Sequence, residues 1–333
     1  MKGQFIKIIL LWALLPMFSL GDVKSQSTEF SENNLVFLCI GQSNMEGNAQ
    51  PESVDKTGVD GSRFKKMYCA NSDGSKKGTW ATAYPPLCRQ GCGLTPVDYF
   101  GRYLCDNLAS QYNIYVIVVA VAGCSLKLFD KDKYSSYLSD SGTADWLRNI
   151  ANDYGGNPYG RLIEMAKKAQ EIGVIKGILL HQGETDAYND EWVDRAEKVY
   201  KDILKDLGLK TSNTPLLVGE VVNADQNGAC SGANATIAKL ANKLSSAFLI
   251  SSKGCPAGPD RLHFSAEGYR MLGTRYGEKM KSYLKIKGYE LNAVDPILED
   301  QADAAIYNMN GQQLYTPTRG INIINGHKYY LQP

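Results

Sequence analysis

Apolar residues in this chain gather into short unbroken runs, separated by segments whose apolar positions recur at helical spacing. Leu35-Val36-Phe37-Leu38-Cys39-Ile40 is the first run in the body of the chain. Residues 114–121, 176–181, 215–222 and 247–251 repeat the form. Such runs predict strands buried on both faces. Helices are predicted between them. One opens at Thr95-Pro96-Val97-Asp98, with Thr as cap, Pro at the first helical position and Asp in the first turn, and runs to about residue 111. Others cover about 159–172, 190–207 and 233–244, and a last long helix capped by Ser265 ends near 285. Residues 46–94, rich in Gly, Pro, Ser, Asp and Lys, read as a long loop forming part of a cleft wall, and 126–158 as polar and irregular.

Strands alternating with helices predict a three-layer α/β/α domain over residues 33–287, with about five parallel strands and right-handed connections. The flanks differ. Lys2 and Lys7 precede an apolar run over 8–15, then Pro16 and small or polar residues, so 1–27 reads as a secretory signal peptide. The run is too short to predict a membrane span. After a linker, Asn310-Gly311 and Asn325-Gly326 sit between apolar stretches and predict two hairpins, so 288–333 reads as linker and small β tail.

Charge narrows the partners. With 36 basic and 35 acidic residues the formal net charge is +1, which gives no reason to expect nucleic acid or a membrane surface. Eight Cys in an exported chain permit disulfides. Cys69, Cys88 and Cys92 form one candidate group, and Cys230 and Cys255 another. Cys39 and Cys124 read as buried thiols. Zinc is disfavoured, since there are three His and no paired C-x-x-C pattern.

The candidate chemistry lies at strand exits. Gly41 ends the first strand and Ser43 follows at its carboxyl end, where ligands and catalysts collect in open α/β sheets. A serine hydroxyl needs a base, and the base needs a third group to orient it. His263 is the candidate base, because His327 lies in the tail and His181 ends a strand as a structural or cleft-wall residue. Asp260 stands three residues before His263 in a Gly/Pro-rich loop, which brings a carboxylate within reach of the far ring nitrogen. Donors for a developing oxyanion are offered by the N–H groups of Ser43 and Gly123 and by the side-chain amide of Gln182.

Gly41-Gln42-Ser43-Asn44-Met45, Ala122-Gly123-Cys124, His181-Gln182-Gly183-Glu184-Thr185-Asp186 and Asp260-Arg261-Leu262-His263-Phe264-Ser265 occur in this order. Together they resemble the four blocks of the SGNH hydrolase superfamily. More closely they resemble carbohydrate esterase family six, with its acetylxylan esterases and sialate O-acetylesterases. The resemblance spans about residues 35–275 and implies a flavodoxin-like fold. It makes Ser43 the nucleophile, His263 the base, Asp260 its orienting acid, and Gly123 and Gln182 oxyanion donors. Gln182 stands where the wider superfamily has Asn. Glu184 is left either to support His263 in place of Asp260 or to bind substrate; covalent proximity favours Asp260.

The implied activity is that of an exported serine acetylesterase acting on acetylated carbohydrate, with no metal or cofactor. Neutral acetylxylan is the expected substrate, because no basic pocket is evident in the sequence. A sialate O-acetylesterase, a non-catalytic carbohydrate-binding protein, and a lipase or thioesterase are the alternatives. A sialate carboxylate would call for an Arg, for which Arg89 and Arg261 are candidates. Trp80, Tyr84, Trp146, Tyr154, Tyr159 and Trp192 are candidates for stacking on sugar rings. The tail resembles the C-terminal sorting segments of secreted bacterial proteins.

Overall fold

The computed structural model describes residues 29–292 together with 306–308, 313–314, 320–324 and 327–331. The leader reading over 1–27 lies outside the described residues, as does 293–305. The first apolar run is strand β1 (Asn34–Gly41), buried along its whole length. It is followed by α1 (Ser43–Glu46), β2 (Phe64–Met67), β3 (Trp80–Thr82), α2 (Pro96–Asn107), β4 (Asn113–Ala120), α3 (Tyr134–Ser139), α4 (Asp145–Asp153), α5 (Pro158–Gln170) and β5 (Val174–His181). Then come α6 (Glu191–Asp206), β6 (Leu216–Gly219), α7 (Asn234–Lys243), β7 (Ala247–Ile250) and α8 (Ala266–Ile286).

The main sheet has seven strands in the order β3-β2-β4-β1-β5-β6-β7. Every pairing is parallel except that of β3 with β2. Helices α2 and α8 pack together on one face, and α5, α6 and α7 cover the other. This is the three-layer α/β/α arrangement expected from the alternation, with β1 at the centre. Chain order reverses across β1, since β4 lies on one side and β5 on the other. The loops leaving these three strands therefore open a crevice at their carboxyl ends.

The cap predicted for α2 forms. Thr95 Oγ1 accepts from the Val97 N–H, and the Thr95 N–H donates to Asp98 Oδ2 at 3.0 Å. Thr95 Oγ1 also donates to the Met45 carbonyl at 2.7 Å, which fastens α1 to the start of α2. The helix stops at Asn107, short of residue 111, because Leu108 turns extended and the chain folds back toward β4.

Two stretches expected to be irregular contain structure. Residues 46–94 hold β2 and β3; Phe64 and Met67 are buried while Lys65 and Lys66 stay half-buried. Strands of four and three residues are too short for their alternation to stand out from a polar surround. Residues 126–158 hold α3 and α4. All eight cysteines are free thiols, against the expectation of bridges. Cys88 lies against both the Cys92 thiol and the Tyr154 hydroxyl, while Cys69 meets the Met67 carbonyl, Cys230 the Glu184 carbonyl and Cys255 the Arg275 guanidinium.

In the tail, β8 (Ile306–Asn308), β9 (Gln313–Leu314), β10 (Gly320–Ile324) and β11 (His327–Leu331) form a four-stranded antiparallel sheet in the order β11-β10-β8-β9. Both predicted hairpin pairings are present in it. No described helix is long and apolar enough to cross a membrane.

Burial pushes the Asp98 carboxyl up to about 7, against the Thr95 N–H and Arg102, which favour the anion. Between its unfolded value near 3.8 and about 7, the folded chain holds a proton that the unfolded chain releases, so this group's contribution to stability is lost as pH rises through that window. Asp98→Asn is expected to flatten this slope. Its melting temperature relative to wild type should climb by several degrees between pH 5 and pH 8; calorimetry at both pH values, with a constant difference as the contrary result, checks this.

Candidate active site

The site is set by three strand exits. Gly41 lies opposite Ala120 of β4 and His181 of β5. A Cβ on Gly41 would stand 2.0 Å from the His181 carbonyl oxygen, so only glycine lets β1 leave the sheet here. The Gln42 N–H then donates to that carbonyl at 3.2 Å, and Ser43 opens α1. The Ser43 hydroxyl meets His263 Nε2 at 2.8 Å.

His263 arrives from a loop 218 or more residues downstream, which its own hydrogen bonds shape. Asp260 Oδ1 accepts the N–H groups of Leu262 at 3.0 Å and His263 at 2.9 Å, while Oδ2 meets His263 Nδ1 at 2.6 Å. Arg261, at φ +56°, makes the tight bend between them. Partial burial raises the Asp260 carboxyl, but the His263 amide, the His263 ring and the Leu262 amide together hold it below the usual range. It is thus a carboxylate, able only to accept. His263 Nδ1 carries the proton, and Nε2 offers its lone pair to the Ser43 hydroxyl.

Gly123, at φ +66°, forms the turn after β4. A Cβ there would lie 2.5 Å from Trp146 Cη2, so the indole covers the space that any side chain would need. Among the described residues, the backbone N–H groups of Ser43 and Gly123 have no hydrogen-bond partner. The turn is held from the β5 exit. Thr185 Oγ1 donates to the Gly123 carbonyl at 3.2 Å, and Asp186 accepts from Ser125 Oγ and the Leu126 N–H.

Gln182 is fully buried and differs from the expectation of a free donor. Its Nε2 gives its two N–H groups to the Cys124 carbonyl at 3.1 Å and to Asp186, and its Oε1 accepts from Trp192 Nε1. With every donor engaged, the side chain secures the Gly123 turn and presents no N–H to the crevice. Glu184 does not touch His263. Its Oε1 accepts from Asn44 Nδ2, and burial raises its carboxyl, partly offset by that bond. His181 is buried, edge-on to Phe264, and pushed down to about 3 by burial, so it is neutral.

Two further residues of α1, to which the sequence reading gives no role, are tied into the site. Glu46 is buried and paired with Arg89 at 2.8 Å. Its carboxyl is raised by burial, against Arg89 and the Ala122 N–H, which hydrogen-bonds to it. Arg89 is thus occupied. Arg261 is exposed and, among the described residues, its side chain has no ionic partner. Asn44 links α1 to the chain on both sides of His263. Of the candidate stacking residues, Tyr154, Tyr159 and Trp192 are buried and Trp80 packs on Tyr115, leaving Trp146 at 53% and Tyr84 at 37% exposure.

Two hollows flank the site. The larger, about 780 Å³, is lined by Gly123, Trp146, Tyr137, Lys127, Lys133 and Arg195. The smaller, about 350 Å³, borders Asp260 and His263 on one wall and Asn48 and Gln50 on the other.

A family model described as carbohydrate esterase, sialic acid-specific acetylesterase matches residues 33–282. Among solved structures, a protein from Arabidopsis thaliana is similar with a TM-score of 0.56 at 19% identity, over 76% of this chain and 98% of that one. NanS is similar with a TM-score of 0.54 at 14% identity, over 77% of this chain and 99% of that one. At these identities the two likenesses speak to the fold, an SGNH-hydrolase-like α/β/α arrangement.

The geometry predicts that Ser43 is the hydroxyl most reactive toward a serine-directed phosphonate. Peptide mass spectrometry should place the adduct on Ser43, and His263→Ala should slow labelling by ~100-fold or more. Labelling spread over several serines, or unaffected by that substitution, would contradict the arrangement.

Proposed function

The chain belongs to the carbohydrate esterase, sialic acid-specific acetylesterase family, and we propose that it is a serine esterase that removes O-acetyl groups from carbohydrate. The observation that carries this reading is the relay from Asp260 through His263 to Ser43, at 2.6 Å and 2.8 Å. Ser43 Oγ attacks the acetyl carbonyl while its proton passes to His263 Nε2. The Asp260 carboxylate accepts from Nδ1–H and stabilises the imidazolium that forms. The oxyanion takes the free N–H groups of Ser43 and Gly123. Preorganised donors of this kind each supply on the order of a hundredfold in rate. As the tetrahedral adduct collapses, the C–O bond to the sugar breaks and His263 returns the proton to the departing sugar oxygen. Water, losing its proton to the same imidazole, then attacks the acetyl-serine, and as the Oγ–C bond breaks the imidazole returns that proton to Ser43 Oγ and acetate leaves. Gln182 acts by fixing the Gly123 turn instead of by donating to the oxyanion. The indole of Trp146 against Gly123 favours a small acyl group.

The larger hollow supports an acidic sugar as substrate. Lys127, Lys133 and Arg195 line it, and among the described residues none of the three is ion-paired; Asp140 is the one carboxylate in its lining. This net positive lining suits a sugar carboxylate, as on a sialic acid. Neutral acetylxylan is the second reading, favoured by the exposed indole of Trp146, on which a neutral pyranose ring would stack. Export by the leader over 1–27, to the periplasm, the cell surface or beyond, is part of the proposal, with the tail from 288 as a sorting segment.

Acetate release from O-acetylated sialic acid and from acetylated xylo-oligosaccharide, with wild type and Ser43→Ala, tests the reading. Release that vanishes in Ser43→Ala is expected, with the sialate preferred. Arg195→Ala combined with Lys127→Ala should raise KM for the sialate by about tenfold and leave that for xylan fragments alone. Preference for xylan would overturn the acidic-sugar reading and keep the esterase. A preference for acyl chains longer than butyrate in a nitrophenyl ester series would overturn the acetylesterase.

A further inference from the structure

Asn44 follows the nucleophile directly and is fully buried. Its side-chain amide makes four hydrogen bonds. Nδ2 donates to the Leu262 carbonyl at 3.1 Å and to Glu184 Oε1 at 2.5 Å. Oδ1 accepts from the Phe264 N–H at 3.3 Å and from the Tyr269 hydroxyl at 2.7 Å. Leu262 and Phe264 are the residues on either side of His263. A single amide therefore grips the backbone before and after the base, while its own backbone is joined to Ser43. Among the described residues, these are the only hydrogen bonds between 43–46 and the 254–265 loop besides the Ser43–His263 contact itself.

The surroundings allow one orientation of the amide. Phe264 N–H can only donate, so it needs the oxygen, and the Leu262 carbonyl can only accept, so it needs the nitrogen. Glu184 adds a second acceptor on the nitrogen side. Its other oxygen is buried with no hydrogen-bond partner, and among the described residues Asn44 is the one side chain hydrogen-bonded to this carboxyl, with His181 Nε2 standing 3.8 Å from Oε1. Asp260 already occupies His263 Nδ1, which leaves Glu184 no place in the relay.

We propose that Asn44, seated on the Glu184 carboxyl, is the positioning residue that sets the separation of Ser43 Oγ from His263 Nε2. The proposal rests on Ser43 and His263 being the nucleophile and base. Small displacements of this pair are costly, because proton transfer and attack require both atoms at hydrogen-bonding range; about 1 Å of misplacement can cost ~100-fold. Neither Asn44 nor Glu184 touches the reacting atoms, so their effect falls on kcat.

The test is Asn44→Asp, alone and combined with Glu184→Gln. The single change sets two carboxyls against each other and removes the donor to Leu262. The double change restores an N–H···O bond between the two positions with donor and acceptor exchanged. We expect the single variant to lose about 100-fold in kcat with KM within about threefold, and the double variant to recover at least tenfold of that loss. The ¹⁵N shift of His263 Nε2 gives a readout that needs no substrate, since it reports whether the Ser43 hydroxyl is donating. Asn44→Asp should move it to the value of Ser43→Ala, and the double variant should move it back. An Asn44→Asp variant with wild-type Nε2 shift and kcat within threefold overturns the proposal, as does a kcat loss that the second change does not relieve. If wild type and Ser43→Ala share one Nε2 shift, the Ser43–His263 relay itself is what fails. Should Asn44→Asp not fold, Tyr269→Phe removes one donor to Oδ1 and should lower kcat about fivefold at constant KM; an unchanged kcat overturns the proposal.

Discussion

The parallel pairing of β1 with β4 and β5 is the constraint on which the rest of this structure depends. The register places Gly41, Ala120 and His181 side by side at the carboxyl edge. From those three positions leave the turns bearing Ser43, Gly123 and Gln182. A parallel sheet buried on both faces holds this register strongly, because a slip of one residue would exchange the side chains facing the two helical layers. The site inherits its precision from the sheet. The close passage of Gly41 by the His181 carbonyl is where that inheritance is most demanding.

What the sheet cannot do is bring in His263, which comes from a loop beyond β7. That loop is rigid on its own account, since Asp260 caps the amides of Leu262 and His263 as well as binding the ring. Asp260 and His263 thus form one preassembled unit whose docking against α1 is a separate problem. α1 is the meeting point. Ser43 reaches His263, Asn44 the backbone flanking it, and Glu46 the Ala122 amide beside the Gly123 turn. Burying the Glu46 carboxylate is costly unless it is paired, and Arg89 supplies the pairing from a region otherwise built of short strands and turns.

Gln182 and Glu184 show how one motif divides between two tasks. Both leave the end of β5 and both are buried. Gln182 turns toward Cys124 and Asp186 beside the Gly123 turn, and Glu184 toward Asn44 beside the His263 loop. A motif of polar residues at a strand exit reads as catalytic in isolation. Here it is largely a bracket between the turns that carry the free N–H groups and the hydroxyl.

The sequence by itself determined the alternation of strands and helices, the Thr95 and Ser265 caps and the central strands, because those signals are local: run length, spacing and cap chemistry need no partner. It also singled out Ser43, His263 and Asp260, the last because three residues of one loop fix a carboxylate near an imidazole. Only the tertiary structure decided that β2 and β3 extend the sheet, since strands of three and four residues are stabilised by their neighbours and leave little pattern of their own. It decided too that the cysteines stay free thiols, that Arg89 is spent on Glu46, and that Lys127, Lys133 and Arg195 share a hollow with Gly123. The roles of Gln182, Glu184 and Asn44 belong with these. An amide or a carboxyl has no fixed task until its hydrogen-bond partners are known, and these include partners 58, 140 and 218 residues away in the chain.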